Sequence, residues 1–445
     1  MIQSLAPIAI VGSGLAGSEA ALYLARHGQA VDLFEMRPFK QNEAHQSGLP
    51  AELVCSNSFK SQDPGNAHGA LKAELVAAGS PLLELAKQAQ VPAGQALAVD
   101  KEAFSLAVQR AIADEPLITQ WPQEVMDITP LAAQYEQVLI ATGPLTSGPL
   151  ADSLAQMLGE ASLYFYDAIA PVVFAESIDM TQAFRAARWG KGEADYINCP
   201  FNEAQYLAFI EALIEAEKVG FKDFEQAQHF EGCLPIEVLA QRGVQSLAFG
   251  ALKPVGLNHP ETGERYHAVL QLRQENLSAS LYNLVGCQTR MTWRAQKEVF
   301  KMVPGLEQAE FARLGSMHRN SFLNAPKHLN AQLELKGHPK IQIAGQLTGA
   351  EGYTEALGTG LWAALCLHAK LQGLQPPLPH PKTVLGGLIS YLNQSLSPNF
   401  QPMNANWGLV ETPRRPRKVA KADFRRALGA EAVEHFKELL RAAQW

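Results

Sequence analysis

The chain has 445 residues, a length that allows roughly two to three domains. Hydrophobic residues make up 47% and charged residues 18%, which indicates a globular protein with a large core rather than a disordered, fibrous or membrane protein. The 44 acidic and 37 basic residues give a formal net charge of −7, so nucleic-acid contact would need a local basic patch.

The cysteines and histidines predict neither a disulfide framework nor a metal site. The five cysteines are an odd number, lie far apart and include no CxxC pair, and the twelve histidines include no HExxH or HxH pair. A reducing compartment is therefore expected. The uncharged run before Glu19 lacks a basic start and contains Pro7 and Gly12, so it predicts no signal peptide and no membrane helix. We expect a cytoplasmic protein without metal or membrane partners.

A glycine-rich turn near the N-terminus is the first functional motif. Residues 8–11 predict a buried parallel strand, residues 18–27 a helix stopped by Gly28, and residues 31–34 a second strand. Between the first strand and the helix lies a G-x-G-x-x-G motif composed of Gly12, Ser13, Gly14, Leu15, Ala16 and Gly17.

The positions of this motif suit a dinucleotide. Gly12 makes the tight turn, Gly14 lets the backbone approach a pyrophosphate, and Gly17 allows close helix–strand packing. The helix N-terminus offers free N–H groups to the phosphates. Glu35, 18 residues after Gly17, is placed to accept hydrogen bonds from ribose hydroxyls, which favours FAD or NAD over NADP. An ordinary glycine turn is the competing interpretation, and the strand–helix–strand context argues against it.

Two later segments extend the dinucleotide pattern. Residues 138–143 predict a strand ending in Ala141, Thr142 and Gly143, and residues 341–346 a strand that runs into Gly345. This arrangement resembles the FAD-binding two-dinucleotide-fold flavoproteins, whose FAD domain is assembled from both ends of the chain. Tyr353, beside the last segment, is placed equally well to contact a flavin or to pack. The sequence has no second G-x-G-x-x-G, so we expect NAD(P)H to bind only transiently.

The predicted fold class is α/β. A Rossmann-like FAD-binding domain of the two-dinucleotide-fold flavoprotein type is expected over 1–170 and 325–410, interrupted by an inserted α+β domain over 171–324 that faces substrate or RNA. Residues 411–445 would form a basic segment and a C-terminal helix. Shorter predictions are helices over 203–218, 293–302 and 430–443, a strand over 266–272, and an extended proline-rich segment over 375–381.

Nine further segments are more specific than a generic flavoprotein pattern. They are residues 34–38 (FEMRP), 53–58 (LVCSNS), 98–101 (AVDK), 141–147 (ATGPLTS), 166–168 (YDA), 196–200 (YINCP), 230–235 (FEGCLP), 252–257 (LKPVGL) and 317–320 (MHRN). Together they closely resemble the folate- and FAD-dependent tRNA (uracil-5-)-methyltransferases. Related tRNA-modifying flavoproteins that build carboxymethylaminomethyl uridine share the first fingerprint, but they are longer and carry a C-terminal helical domain.

The resemblance implies a reaction. It would use 5,10-methylenetetrahydrofolate as carbon donor and FAD, reduced by NAD(P)H, as electron donor, to make 5-methyluridine at position 54 in the T-loop of tRNA. A branch of the family methylates ribosomal RNA, and the sequence leaves these two substrates open. Two competing hypotheses are an FAD oxidoreductase that acts on a small molecule, with the cysteines as a redox pair, and a non-catalytic RNA-binding flavoprotein.

The resemblance assigns catalysis to Cys55 and Cys233, because uracil C5 becomes nucleophilic only after a thiolate adds to C6. Residues 236–241 predict a helix whose N-terminus would favour a thiolate at Cys233, although Glu231 opposes it. We expect Cys55 in a turn after an apolar strand, with Lys60 nearby. Which cysteine attacks is left open. Cys199, Cys287 and Cys366 are expected to be structural.

His318 is the candidate folate-binding residue, by stacking on the pterin or binding its tail. Two basic patches are candidates for RNA binding, and both also fit ordinary solvated charge. The first comprises Arg414, Arg415, Arg417 and Lys418, in a run without an acid. The second is a predicted basic helical face formed by Arg290, Arg294, Lys297 and Lys301.

Overall fold

A computed structural model describes most of the chain. The described residues are 7–41, 44–160, 163–190, 193–220, 234–259, 262–396 and 400–442. Cys233 and Glu231 lie outside them, so the prediction for that cysteine is not addressed by the geometry below. Among the described residues, no helix has the length and apolar character needed to cross a membrane. The same residues contain no cluster of three or more His, Cys, Asp or Glu able to hold a metal ion.

The strands are β1 (Ile8–Val11), β2 (Val31–Phe34), β3 (Ser58–Ser61), β4 (Gln90–Val91), β5 (Ala96–Val99), β6 (Ile118–Trp121), β7 (Val138–Ile140), β8 (Leu163–Ala168), β9 (Val172–Phe174), β10 (Phe184–Ala186), β11 (Tyr196–Phe201), β12 (Ala268–Gln274), β13 (Leu281–Leu284), β14 (Phe311–Arg313), β15 (Met317–Phe322), β16 (Glu334–Leu335) and β17 (His338–Ile343). The helices are α1 (Leu15–Arg26), α2 (Ala67–Ala77), α3 (Pro81–Gln88), α4 (Lys101–Ala113), α5 (Thr129–Gln134), α6 (Gly148–Leu158), α7 (Glu203–Glu215), α8 (Ile236–Gln241), α9 (Ser246–Phe249), α10 (Trp293–Phe300), α11 (Ala325–His328), α12 (Tyr353–Leu371), α13 (Val384–Gln394) and α14 (Lys421–Ala442).

The first sheet has the order β16-β17-β7-β1-β2-β6 and is parallel except for its edge strand β16. Its central strands are short and fully apolar or nearly so, because both faces of a parallel sheet are covered. The strands predicted around residues 8–11, 31–34, 138–143 and 341–346 are therefore neighbours in one sheet. Their carboxyl ends meet at one edge, as in a Rossmann-like dinucleotide-binding fold, so the predicted fold class is confirmed.

The second sheet is antiparallel, with the order β10-β11-β12-β13-β9-β14. Each sheet has its own hydrophobic core. The first core draws its buried residues from between Ile8 and Leu154 and between Phe322 and Leu440, and the second from between Ala170 and Ala309. A discontinuous unit thus encloses a continuous one, as the dinucleotide pattern at both ends of the chain suggests. The boundaries 1–170, 171–324 and 325–410 stay predictions.

The two cores are tied together at the buried side chain of Asn57. Its Nδ2 donates to the carbonyls of Val99 at 3.0 Å and Gln274 at 2.9 Å, and its Oδ1 accepts from Arg273 Nε at 2.9 Å. Val99 belongs to the first core, whereas Arg273 and Gln274 lie in β12 of the second sheet. The loop around Asn57 is therefore held from both sides.

Several local predictions need correction. No strand precedes Cys55, because residues 52–54 have no regular structure and the next strand is β3. Arg290 lies before α10 rather than on its face, since that helix begins at Trp293. The C-terminal helix begins at Lys421 rather than at residue 430. Gly429 lies inside this helix and packs against Pro64, where a Cβ would lie 2.2 Å from the carbonyl oxygen.

Candidate active site

Three glycines shape the turn between β1 and α1, each for a different reason. Gly12 has a φ of +101°, and a Cβ there would lie 2.6 Å from the carbonyl oxygen of Ala141. A Cβ at Gly17 would lie 1.9 Å from the carbonyl oxygen of Gly12, so α1 packs on the turn with no room for a side chain. At Gly14 the nearest described atom would be 3.9 Å away. Packing thus requires Gly12 and Gly17, whereas Gly14 faces a cleft.

Glu35 lies at the wall of this cleft as an ionised acceptor. Its carboxylate accepts hydrogen bonds from Ser13 N at 2.9 Å and Ser13 Oγ at 2.7 Å, and from Arg37 Nε at 3.0 Å. Burial alone would raise the pKa of Glu35, but Arg37 and Ser13 outweigh it and lower the pKa to about 2. Arg37, which the sequence interpretation did not identify, is itself held by the carbonyl of Leu49 at 3.0 Å.

Three adjoining cavities form one elongated cleft. The first two follow the ends of β1, β7 and β17, and we call them the dinucleotide cleft. The first cavity is lined by Gly12, Gly14, Glu35 and Thr142. The second shares Gly14 and Thr142 with the first and adds the predicted residues Leu15, Ala16, Ala141, Gly143, Gly345 and Tyr353. Ser13 and Gly17 do not line these cavities, but they hold Glu35 and the glycine turn. Helices α1 and α12 both begin at this cleft, and the free N–H groups at their N-termini suit a pyrophosphate.

The third cavity, the Cys55 cavity, is continuous with the dinucleotide cleft through Tyr353 and encloses about 890 Å³. It is lined by Cys55, Asp167, His318, Asn320 and Glu351, among others. Predicted cofactor and catalytic residues that are almost 300 positions apart in sequence thus share one continuous space. Polar groups converge at one end of it, which is the character of a small-molecule site.

The loop that carries Cys55 is held by the hydroxyl of Tyr353. This oxygen accepts hydrogen bonds from the backbone N–H of Cys55 at 2.9 Å and of Ser56 at 3.1 Å. The ring of Tyr353 packs against Phe59 with ring centroids 5.7 Å apart. Tyr353 therefore both lines the cleft and positions the loop, a combination that sequence spacing cannot show.

Cys55 is a thiol rather than a thiolate at neutral pH. Burial raises the pKa of its thiol, and the negative charge of Asp167 raises the pKa further. Two cations oppose this rise, Lys101 and Arg313, and the Nζ of Lys101 lies 2.6 Å from Oε1 of Glu275. Lys60 does line the Cys55 cavity as expected, but its Nζ lies 3.9 Å from the buried carboxylate of Glu355.

His318 lies in β15, where it is paired with Asp167 of β8. Its Nε2 lies 3.0 Å from the Oγ of Ser316, and the ring is buried at the Cys55 cavity. Burial raises the pKa of Glu351 to about 8, with a further rise from Asp167. Asp167 and Glu351 are functional candidates that the sequence interpretation missed, although Asp167 lay within one of its motifs.

The remaining predicted residues lie away from this cavity. Cys199, Cys287 and Cys366 are buried in the two cores, in agreement with a structural role. The basic segment with Arg414, Arg415, Arg417 and Lys418 is fully exposed and precedes α14. On α10, Lys297 is exposed, and Arg294 forms an ion pair with Glu298 at 2.8 Å.

Comparison with known proteins identifies relatives along nearly the whole chain. The family model described as Glucose inhibited division protein A matches residues 7–375. A relative from Oleidesulfovibrio alaskensis is 48% identical over 437 residues, covering 98% of this chain and 97% of its own. One from Geobacter sulfurreducens is 50% identical over 427 residues, covering 96% and 97%. Both are named methylenetetrahydrofolate--tRNA-(uracil-5-)-methyltransferase TrmFO.

Among solved structures, Aquifex aeolicus GidA in its form II crystal matches with a TM-score of 0.69 and 16% identity. The match covers all of this chain and 74% of the other. At this level of identity the likeness shows a shared fold.

We expect Gly14→Ala to lose bound FAD. The added methyl group would project into the cleft where the backbone must approach a pyrophosphate, without clashing inside the protein. The flavin-to-protein absorbance ratio of the purified variant measures the loss. Gly148→Ala is the matched control, because it begins a nearby helix and its Cβ would meet nothing within 4 Å. A fully flavin-loaded Gly14→Ala protein would contradict this placement of the dinucleotide.

Proposed function

Because this chain belongs to the Glucose inhibited division protein A family, among its methylenetetrahydrofolate--tRNA-(uracil-5-)-methyltransferases, we propose that it methylates C5 of uridine 54 in the T-loop of tRNA. The carbon donor is 5,10-methylenetetrahydrofolate. The observation that carries this function is the 48–50% identity to such enzymes over nearly the full chain. The hypothesis of a small-molecule oxidoreductase has no support among these relatives.

The dinucleotide cleft suits FAD. The N-terminus of α1 at Gly14 would bind the pyrophosphate, Glu35 the adenosine ribose, and the strand ends at Thr142 and Gly345 the remainder. Bound FAD, once reduced, supplies the hydride that completes the methyl group. We propose NAD(P)H as its reductant, bound transiently at the Cys55 cavity because the chain has no second G-x-G-x-x-G motif. We also propose a cytoplasmic location, where tRNA, folate and NAD(P)H are available together.

We propose Cys55 and Cys233 as the two reactive cysteines. One thiolate forms a bond to uracil C6, and the electron pair of the C5–C6 double bond then attacks the folate methylene carbon from C5. The C5 proton leaves to a base as the bond between the methylene carbon and the folate nitrogen breaks, which releases tetrahydrofolate. Hydride addition to the exocyclic methylene then completes the methyl group, and the thiolate leaves C6. Which of the two cysteines attacks C6 is decided by the adduct experiment below.

The other polar groups of the Cys55 cavity would orient the two heterocycles. His318 is the proposed folate-binding residue, and Asp167, its partner across the β8–β15 pair, offers a carboxylate to ring N–H groups. Tyr353 keeps the Cys55 backbone in place while the substrates enter. Gln288 of the second unit lines this cavity together with Cys55 and Tyr353 of the first, so both units contribute to the site.

For RNA contact we favour the segment with Arg414, Arg415, Arg417 and Lys418. It is exposed throughout and carries no acidic side chain between residues 412 and 422. The second patch is a weaker candidate for two structural reasons. Arg294 already has a carboxylate partner, and Arg290 lies half-buried ahead of the helix.

The two cysteine variants test the chemistry. Cys55→Ala and Cys233→Ala should each reduce methylation below detection while leaving FAD bound and reducible by NAD(P)H, because the dinucleotide cleft does not depend on either thiol. Incubation with an unmodified tRNA transcript, methylenetetrahydrofolate and NAD(P)H, followed by nucleoside analysis, is the measurement. Cys287→Ala and Cys366→Ala are the controls and should keep most activity.

The same reaction decides the substrate and the nucleophile. A ribosomal RNA fragment that is methylated in preference to tRNA would move the proposal to that substrate. A T-loop RNA with 5-fluorouridine should trap a covalent adduct, because fluorine at C5 blocks the usual proton loss. Peptide mass spectrometry then identifies the attacking cysteine. Full methylation by both alanine variants would contradict the cysteine mechanism.

Removing charge at Arg414, Arg415, Arg417 and Lys418 should weaken tRNA binding and flatten the plot of log K against log salt. Each lost phosphate contact lowers the slope by about 0.7–0.9. Filter binding at several salt concentrations measures both quantities. The matched variant removes Arg294, Lys297 and Lys301 and should leave the slope unchanged. The reverse pattern would assign RNA binding to the second patch.

A further inference from the structure

A second cleft lies between the two cores, separate from the Cys55 cavity. We call it the Trp189 cleft, and it encloses about 880 Å³. Ser61, Asn66 and Gln95 line it from the first unit, and Arg188, Trp189 and Tyr196 from the second. The mechanism proposed above uses none of these residues.

Trp189 is held in an unfavourable conformation with its side chain exposed. Its φ is +61°, a left-handed conformation that bulky side chains rarely adopt, and 67% of its surface is exposed. Its backbone N–H donates to the carbonyl of Gly256 at 2.9 Å. Its ring lies against Gly256, where a Cβ would come within 2.9 Å of ring atoms. The ring is thus backed by the protein, although neither the strain nor the exposure favours folding.

Among the described residues that line this cleft, Arg188 is the one with a charged side chain. Asp195, which accepts a hydrogen bond from the backbone N–H of Gly94 at 2.6 Å, does not line it. Arg188 is fixed by three bonds of 2.8 Å, from Nε to Gln271 Oε1 and from Nη1 to the carbonyls of Lys253 and Val255. Asn66 and Gln95 present exposed amide side chains from the opposite wall. None of the described lining residues carries a carboxylate. An aromatic face, amides and a cation without acids match a nucleobase with its phosphate.

Two strands connect this cleft to the active site. Ser58 and Lys60 of β3 line the Cys55 cavity, whereas Ser61, the last residue of the same strand, lines the Trp189 cleft. In β12, Gln271 lines the cleft and Arg273 bonds to Asn57 beside Cys55. A single-stranded loop with one base in the Cys55 cavity therefore places a neighbouring base within reach of Trp189.

We propose that the Trp189 cleft receives an unstacked nucleobase of the RNA substrate, other than the uracil that is methylated, and stacks it on Trp189. The inference deepens the proposed function and rests on it, since it requires an RNA substrate. The Trp189 cleft, at the junction of the two units, would then hold the RNA loop open.

Trp189→Asn separates this role from a structural one. Asparagine adopts the left-handed conformation more readily than tryptophan, so the unfolding temperature should stay the same or rise. The Kd for unmodified tRNA should increase about tenfold, as expected for one lost base stack. Phe249→Ala, which removes another exposed aromatic of the second unit (84% exposed), is the control and should change neither quantity.

A scan with abasic nucleotides through the T-loop tests the stacking itself. Wild-type protein should lose affinity at one abasic position beside the target uridine, and Trp189→Asn should no longer distinguish that position. An Asn variant that binds intact tRNA as tightly as wild type, or that still loses the same affinity as wild type at that one abasic position, would overturn the inference. In either case, methylation of tRNA by wild type would leave the proposed function standing. Failure of wild type to methylate any RNA would instead overturn the proposed function.

Discussion

The close approach of α1 to the backbones around it is the constraint on which the site depends. A Cβ at Gly17 would lie 1.9 Å from the oxygen of Gly12, and a Cβ at Gly360 would lie 2.4 Å from the oxygen of Ala16. These contacts bring α1 directly onto its turn and bring α12 directly onto α1. Two helix N-termini therefore open on the same edge of the parallel sheet, where β1, β7 and β17 end. Without this contact there would be neither an anion site nor a fixed starting point for Tyr353.

The N-terminus of α12 in turn holds the loop that carries Cys55. Tyr353 is the first residue of α12, and its hydroxyl binds the backbone of Cys55 and Ser56. Asn57, two residues after Cys55, bonds the same loop to β12 of the second sheet. The loop is thus held by both units. One short segment couples cofactor, thiol and the proposed RNA surface.

The sequence predicted what depends on local pattern. The strand–turn–helix at Gly12 to Gly17, the strand at 138–140 and the glycine after β17 follow from short-range periodicity and turn chemistry, and the structure places them together. It could not predict what depends on distant partners. The C-terminal helix runs through Gly429, where the glycine packs against Pro64. Lys101 and Asp167 act on Cys55 only through the fold, and Tyr353 positions a loop almost 300 residues away. The prediction that Arg290 lies on a helical face was wrong, because spacing alone cannot locate the start of a helix.

We propose that α12 positions the Cys55 loop for methyl transfer through the hydroxyl of Tyr353, which Tyr353→Phe removes. Phenylalanine keeps the ring against Phe59 and removes only the oxygen that accepts two backbone hydrogen bonds. The measurement is the single-turnover rate of 5-methyluridine formation in tRNA, made alongside the FAD content of the same preparation. The account predicts unchanged FAD content and a rate lower by about tenfold or more. A wild-type rate in flavin-loaded Tyr353→Phe protein would contradict it.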